Sequence, residues 1–330
     1  MLLVWGLVFI VALVVMVKGA DWLIISAEKI GLSFGLSPFI VGVTIVGVGT
    51  SLPELISSSI AVWQGVAEVA VANAVGSNIA NILLIVGVAA VIGRQLTVSK
   101  SLIDLDLPLL AITTVLLLGI LADRQITFGE SLLLLITYGI YLAYTVIHKE
   151  SEEPGIERPI LSVRAEKMKQ AAIVAEKRRR PKLVPLDFVM LVVGIIGLVF
   201  GAKYLIDALT NLSMILNIAT GVIAITAVAI GTSLPELLVS AKAALKNKPE
   251  VALGNIFGSN IFNALVVVGL PGLFRTLPVD DQTFLIGVPA LALATLLFVI
   301  SGISRRVHIW EGAFYLILYI LFIVKLFNWF

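Results

Sequence analysis

A heptapeptide that occurs twice is the feature that most restricts how this chain can fold. Residues 49–55 read GTSLPEL, and residues 231–237 repeat the seven letters unchanged, 182 positions further on. A second motif, GSNI, keeps the same offset between residues 76–79 and 258–261. Two motifs in one register indicate that the chain is a duplication of one structural unit.

The composition places this duplication in a membrane. Of 330 residues, 59% are hydrophobic and 13% are charged, whereas about a quarter of a soluble globular chain is charged. The net charge of +2 gives no argument for a nucleic-acid partner, and the absence of cysteine excludes disulfides and thiolate metal sites. We therefore predict an integral protein of the cell membrane, with the lipid bilayer as its surroundings.

Ten apolar segments are long enough to cross a bilayer as helices. None shows the two-residue alternation of a barrel strand, so we predict an all-α membrane protein. The first segment is interpreted as a retained helix because no signal-peptide cleavage site follows it. The predicted spans lie near residues 3–25, 37–62, 67–92, 105–122, 127–147, 186–208, 218–244, 250–274, 283–303 and 308–328.

One hydrophilic segment divides the chain into a first repeat (1–148), a linker (149–185) and a second repeat (186–330). Ten of the 23 Lys and Arg residues lie between Lys149 and Lys182. Because Lys and Arg concentrate in cytoplasmic loops, we predict a cytoplasmic linker and both termini outside. Residues 163–180 are compatible with a helix on the membrane surface, although a solvated linker is the favoured interpretation.

An odd number of spans in each half turns the two halves upside down relative to each other. The predicted architecture is therefore ten transmembrane helices arranged as two inverted five-helix repeats. Secondary transporters are built in this way, and they bind their substrate near the midplane of the bilayer, where the repeats meet.

Two glutamates, Glu54 and Glu236, lie deep inside apolar spans at the same position of the repeated motif. An ionised carboxylate at the bilayer centre costs at least ~2.5 kcal/mol, and the sequence places no Lys or Arg at a comparable depth. Pro53 and Pro235 directly precede the glutamates, and each removes a helical hydrogen bond and leaves backbone carbonyls free. We interpret the pair as functional.

Other oxygen-bearing groups recur around these glutamates at helical spacing. Hydroxyl, amide, carboxylate and main-chain oxygens without imidazole or thiolate suit hard cations such as Ca²⁺, Na⁺, Mg²⁺ or Mn²⁺. Asn73, Asn78, Asn255 and Asn260 fit either an ion site or hydrogen bonding between helices. Close helix packing is the interpretation for Gly42, Gly76, Gly221 and Gly258. The candidate metal ligands are Glu54, Glu236, Thr50, Thr232, Ser77, Ser259, Asn81, Asn263, Gly47 and Ala229.

Paired GTSLPE segments, each followed by GSN-x-x-N, resemble those of the calcium/cation antiporter superfamily and specifically its prokaryotic sodium/calcium exchangers. The resemblance covers both halves and the ten-span count. It implies that ions lie between the broken second and third helices of each half, with Glu54 and Glu236 as shared ligands of Ca²⁺ and Na⁺. It also implies that the first and sixth helices slide during alternating access, and that Gly47 and Ala229 contribute carbonyl oxygens.

The resemblance implies antiport of Ca²⁺ against Na⁺, with no enzymatic activity and no cofactor; no protein partner can be inferred. Two glutamates match the charge of one Ca²⁺ or two Na⁺, and a further Na⁺ held by neutral oxygens would make exchange electrogenic. Several relatives, including the potassium-dependent branch, have an aspartate where this chain has Asn263. We therefore expect transport that does not require K⁺.

Three other functions compete with this one. A Ca²⁺/H⁺ antiporter would protonate the same glutamates during its return step, and it is the nearest alternative. An intramembrane hydrolase would need a nucleophile with a base, yet the predicted spans contain no buried histidine and no cysteine. A passive cation channel would not need an inverted repeat, which suits opening on alternate sides.

Overall fold

The computed structural model describes residues 2–93, 95–97, 106–147, 181–215, 233–303 and 306–327. Within them, eight helices are long and apolar enough to cross a membrane, and two shorter helices lie at the predicted fourth and seventh spans. The helices are α1 (Leu2–Ser33), α2 (Pro38–Trp63), α3 (Glu68–Gly93), α4 (Leu107–Asp123), α5 (Phe128–Ile147), α6 (Pro185–Ile215), α7 (Leu234–Leu245), α8 (Pro249–Gly272), α9 (Thr283–Ile303) and α10 (Ile309–Leu326).

The predicted spans agree with these helices to within a few residues at most ends. The first part of the predicted seventh span, residues 218–232, lies outside the described residues, as does the linker from 149 to 180. Two predicted ends are wrong: α1 continues to Ser33 and α6 to Ile215, whereas the apolar runs suggested ends near residues 25 and 208. The turns beyond each predicted end mix polar and apolar residues, so the end of the apolar run does not mark the end of the helix.

Ion pairs stabilise the polar end of α1. Lys29 Nζ lies 2.8 Å from Asp187 Oδ1 at the start of α6. Asp21 pairs with Lys242 Nζ at 2.7 Å and with Lys246 Nζ at 2.6 Å, which joins α1 to the end of α7. These contacts supply partners for charged side chains where the apolar sequence of α1 gives way to a polar one.

Two short antiparallel ribbons join the halves, and the sequence did not predict them. Strand β1 (Gln95–Thr97) pairs with β4 (Arg306–His308), and β2 (Gln125–Ile126) pairs with β3 (Leu277–Pro278). Leu96 stands opposite Val307, and the positions 182 residues away, Pro278 and Gln125, also stand opposite each other. The inverted symmetry is thus kept in the register of the ribbons.

The centre of the molecule is α8, surrounded by α2 and α3. The most apolar 18 residues of α8 are all buried, whereas only 17% of the corresponding residues of α1 and 22% of those of α6 are buried. A helix that is apolar all round and fully enclosed is a core helix. The sequence of α8 therefore forms the core, while α1 and α6 lie at the periphery.

Glycines set the distance between α8 and α2. A Cβ atom built on Gly42 would lie 2.8 Å from the Val251 carbonyl oxygen, and one built on Gly258 would overlap the carbonyl oxygen of Val43. The close-packing prediction is confirmed at these two glycines. The prediction is wrong at Gly76, where an added Cβ atom would have no neighbour within 4 Å among the described residues; position 221 lies outside them.

Candidate functional site

Each of the two glutamates lies in the first turn of a helical segment that begins directly after a serine. At Ser51 (φ −88°, ψ 5°) the chain leaves helical geometry, and a new helical segment with Pro53 in its first turn follows. In the second half, α7 likewise begins directly after a serine, Ser233 (φ −89°, ψ 10°), and residues 216–232 before it lie outside the described residues. Proline suits the first turn of a helix, where its missing N–H is not needed. Glu54 and Glu236 therefore occupy first turns, where the helix dipole favours negative charge.

Both glutamate side chains are completely buried. Oε1 of Glu236 accepts a hydrogen bond of 2.9 Å from Ser51 Oγ, which belongs to the other half. The second oxygen of Glu236 and both oxygens of Glu54 have no hydrogen-bond partner among the described residues. An ionised oxygen buried without a partner costs several kcal/mol. These three oxygens are therefore suited to a cation.

A second group of predicted ligands meets where α2 crosses α8. Thr50 Oγ1 lies 3.2 Å from the Gly47 carbonyl oxygen and 3.3 Å from Ser259 Oγ. Ser259 Oγ also donates to the Gly47 carbonyl oxygen, at 3.3 Å. The structure thus brings together three predicted ligands, one of them from the opposite half.

Asn81 and Asn263 lie in π-helical turns within α3 and α8. The turns span Ala80–Ile85 and Asn263–Val267, and such turns are often found at functional sites. Both side chains are completely buried, and neither amide oxygen nor amide nitrogen has a partner among the described residues. Ser77, also buried, lies one turn before Asn81. Their amide oxygens are therefore further neutral candidate ligands.

Two predicted ligands, Thr232 and Ala229, lie outside the described residues. The described donors are all oxygens, and no group of three or more His, Cys, Asp or Glu side chains occurs among the described residues. A set of two carboxylates with hydroxyl, amide and carbonyl oxygens matches what Ca²⁺ accepts and what zinc or copper does not prefer.

Two asparagines whose role the sequence left open join the glutamate helices to the helices that follow. Asn73 Nδ2 donates to the Glu54 carbonyl oxygen at 3.3 Å and to Ser58 Oγ at 3.0 Å. Asn255 makes the same two contacts in the second half, at 3.4 Å and 2.9 Å. Both halves therefore fasten the backbone of the glutamate with an amide.

The remaining asparagine pair joins α3 to α8. Asn78 Nδ2 donates to the Asn260 carbonyl oxygen at 3.0 Å, and Asn260 Nδ2 donates to the Ile256 carbonyl oxygen at 2.7 Å. Only the first of these contacts joins two helices, and the Oδ1 atoms of Asn78 and Asn260 are buried with no partner among the described residues.

Ser51 is a candidate that the sequence analysis did not single out. Its hydroxyl is buried and contacts a carboxylate that lies 185 positions away in the sequence. Two signals were available: the residue lies inside the repeated heptapeptide, and it stands three positions before Glu54, on the same helical face.

The model of the sodium/calcium exchanger protein family matches residues 4–147 and 186–328. The chain belongs to the sodium/calcium exchanger family. This exchanger is 32% identical to the sodium/calcium exchanger MaX1 of Methanosarcina acetivorans, over 97% of its own length and 98% of that protein. It is 30% identical to an uncharacterised membrane protein of Methanocaldococcus jannaschii, over 96% of both chains.

The exchanger is also similar to solved structures of the sodium-calcium exchanger NCX_Mj. One, soaked with zero Na⁺ and Ca²⁺, matches with a TM-score of 0.80 at 29% identity and covers 99% of this chain and 100% of that one. This similarity confirms the predicted all-α membrane fold with ten helices in two inverted repeats. The exchanger is a multi-pass membrane protein that transports cations by antiport, and it is not an enzyme.

Proposed function

We propose that this exchanger moves Ca²⁺ out of the cell against the entry of Na⁺, through one central site and by alternating access. The observation that carries the proposal is the pair of buried glutamates, Glu54 and Glu236, with three carboxylate oxygens that have no partner among the described residues. They occupy equivalent positions in two inverted halves, which is the geometry expected of a site reached from alternate sides.

The proposed ligands are the oxygen donors that the repeated motifs supply. Glu54 and Glu236 serve both ions, and Ser51 joins the set because it contacts Glu236 directly. The further proposed ligands are Thr50, Thr232, Ser77, Ser259, Asn81 and Asn263, with the carbonyl oxygens of Gly47 and Ala229.

Shared ligands supply the coupling. Two carboxylates neutralise one Ca²⁺ or two Na⁺, so that each occupancy excludes the other and leaves the glutamates uncharged overall. A third Na⁺ held by hydroxyl and carbonyl oxygens would move one net charge in each cycle. The exchange would then be electrogenic.

Asn263 supports transport without K⁺. Its side chain is neutral and completely buried on α8, so the donor set carries two negative charges rather than three. A third carboxylate at this position would leave room for one more monovalent cation. With an amide instead, we propose that K⁺ is not carried.

The orientation follows from the basic residues. With both termini outside, the linker of residues 149–185 lies in the cytoplasm, and the loop between α7 and α8, with Lys242, Lys246 and Lys248, faces the same side. The polar end of α1, which forms ion pairs with this loop, is then cytoplasmic as well.

The test is uptake of ⁴⁵Ca²⁺ into proteoliposomes loaded with Na⁺, with K⁺ or with an acidic interior. We expect uptake only from Na⁺-loaded vesicles, with a rate that changes when a valinomycin potential is imposed. Uptake driven by the proton gradient alone would replace this proposal with a Ca²⁺/H⁺ antiporter, and a rate insensitive to potential would contradict the electrogenic cycle.

A further inference from the structure

The side-chain amide of Asn255 forms hydrogen bonds with residues of both halves. It is completely buried on α8. Its Nδ2 donates to the Glu236 carbonyl oxygen at 3.4 Å and to Ser240 Oγ at 2.9 Å, both in the second half. Its Oδ1 accepts a hydrogen bond of 3.0 Å from Thr50 Oγ1 in the first half.

The Glu236 carbonyl fixes which way this amide points. A carbonyl oxygen only accepts hydrogen bonds, so the nitrogen of Asn255 must face it and the oxygen must face Thr50. The amide oxygen is likewise an acceptor without a proton. Thr50 is therefore the donor in the contact between them.

A threonine hydroxyl has one proton and two lone pairs. Thr50 Oγ1 has other neighbours, among them the Glu236 carboxylate, the Gly47 carbonyl oxygen at 3.2 Å and Ser259 Oγ at 3.3 Å, but the shortest of its three measured hydrogen bonds is with Asn255. Ser259 in turn donates its proton to the Gly47 carbonyl oxygen. Every proton in the group is then directed to a protein acceptor.

The direction of these protons decides what the hydroxyl can bind. A hydroxyl that points its proton at a cation repels it, whereas one that gives its proton to a neighbour offers a lone pair. From this geometry we propose that Asn255 is a positioning residue, which takes the Thr50 proton and so makes the Thr50 oxygen a cation ligand. The inference rests on the proposed function, because it requires Thr50 to bind a transported ion.

The first half repeats the anchoring part of this arrangement. Asn73, at the position 182 residues before Asn255, donates to the Glu54 carbonyl oxygen and to Ser58. The same pair of acceptors would orient its amide in the same way. Both inverted halves therefore contain an amide that is anchored in this orientation.

The experiment is a double-mutant cycle read by ⁴⁵Ca²⁺ binding to the purified full-length protein. Thr50→Val removes the hydroxyl, and Asn255→Leu removes the amide that orients it. Each is expected to weaken Ca²⁺ binding about five- to tenfold, the usual effect of one lost hydrogen-bonding group. If Asn255 acts through Thr50, the double variant binds as weakly as Thr50→Val alone, because the second change has nothing left to orient.

A matched control separates orientation from packing. Asn78 is also a buried asparagine that joins two helices, through a bond from its amide nitrogen to the Asn260 carbonyl oxygen. Unlike that of Asn255, its amide oxygen accepts no hydrogen bond from Thr50. The effects of Asn78→Leu and Thr50→Val are expected to multiply. Multiplying effects for the Asn255 pair as well would overturn the positioning role. If Asn255→Leu does not fold, Asn255→Ser, which also lacks the amide, takes its place.

Two further outcomes keep the inference separate from the function it rests on. Thr50→Ser keeps the hydroxyl and is expected to retain both Ca²⁺ binding and its dependence on Asn255. A parent protein that exchanges Ca²⁺ for Na⁺ but shows independent effects in the cycle would leave the proposed function standing and refute the positioning role. A parent protein that neither binds nor exchanges Ca²⁺ would refute both.

Discussion

Ser51 in the first half donates a hydrogen bond of 2.9 Å to Oε1 of Glu236 in the second half. This contact ties the break of α2 to the carboxylate in the first turn of α7. A change at Glu236 is therefore expected to reach the first repeat through Ser51. The contact supports the proposal that the two halves share one site.

Neutralising either glutamate should stop exchange. Glu54→Gln and Glu236→Gln keep the side-chain shape but remove half of the site's negative charge, so we expect Na⁺-driven ⁴⁵Ca²⁺ uptake to fall at least ~100-fold. Glu68→Gln, in the first turn of α3 and partly exposed, is the control and should keep normal uptake. Normal exchange in either buried-site variant would remove that glutamate from the ligand set.

The same substitutions should stabilise the protein when no ion is bound. Glu54 has two buried oxygens without a partner among the described residues, and neutralising it removes a desolvated charge. In choline buffer with EDTA we expect the Tm of Glu54→Gln to exceed that of the parent by roughly 2–4 °C. Added Ca²⁺ should raise the Tm of the parent only. A lower Tm without ions would mean that the carboxylate has a structural partner.

Transport should be equal in K⁺ and in choline media. Asn263 contributes a neutral amide, so the site has no third charge to be balanced by K⁺. The measurement is Na⁺-driven ⁴⁵Ca²⁺ uptake with each external cation in turn. A strict K⁺ requirement would show that the identity of this one side chain does not determine coupling.

Gly258→Ala should destabilise the fold. A Cβ atom at this position overlaps the Val43 carbonyl oxygen, and backbone cannot move aside as a side chain does. We expect the free energy of unfolding to fall by about 1–3 kcal/mol, the usual effect of overpacking. The measurement is the Tm, which should be lower than that of the parent. The control is Gly139→Ala on α5, where no described atom lies within 4 Å of the added methyl. Equal Tm values for the two variants would contradict the close approach of α2 and α8.

Asp21→Asn should lower stability in a salt-dependent way. Asp21 pairs with Lys242 and Lys246, and all three side chains are partly screened from solvent. We expect the free energy of unfolding to fall by about 1 kcal/mol at low ionic strength and by less in high salt. Asp281→Asn removes the exposed pair with Arg124 at 2.6 Å, and its Tm should stay unchanged. A salt-independent loss would indicate packing rather than charge.

Properties that are local along the chain could be predicted from the sequence. Hydropathy gave the spans to within a few residues, and the repeated motifs gave the inverted halves and the position of Glu54 and Glu236 near their interface. Hydropathy was wrong at the ends of α1 and α6, because both helices continue beyond their apolar runs into turns of mixed composition. It did not reveal the ribbons, since strands of two or three residues leave no periodic pattern.

The sequence by itself determined which chemical groups the site contains, because the motif and its duplication fix residue types and their helical spacing. Only the tertiary structure decided which of those groups form hydrogen bonds with each other. Thr50 reaches Asn255 because glycines on α2 and α8 let these two backbones approach closely, and Ser51 reaches Glu236 only where α2 meets α7. Proton direction depends on distances between atoms that are about 200 residues apart in the chain, and such distances exist only once the helices pack.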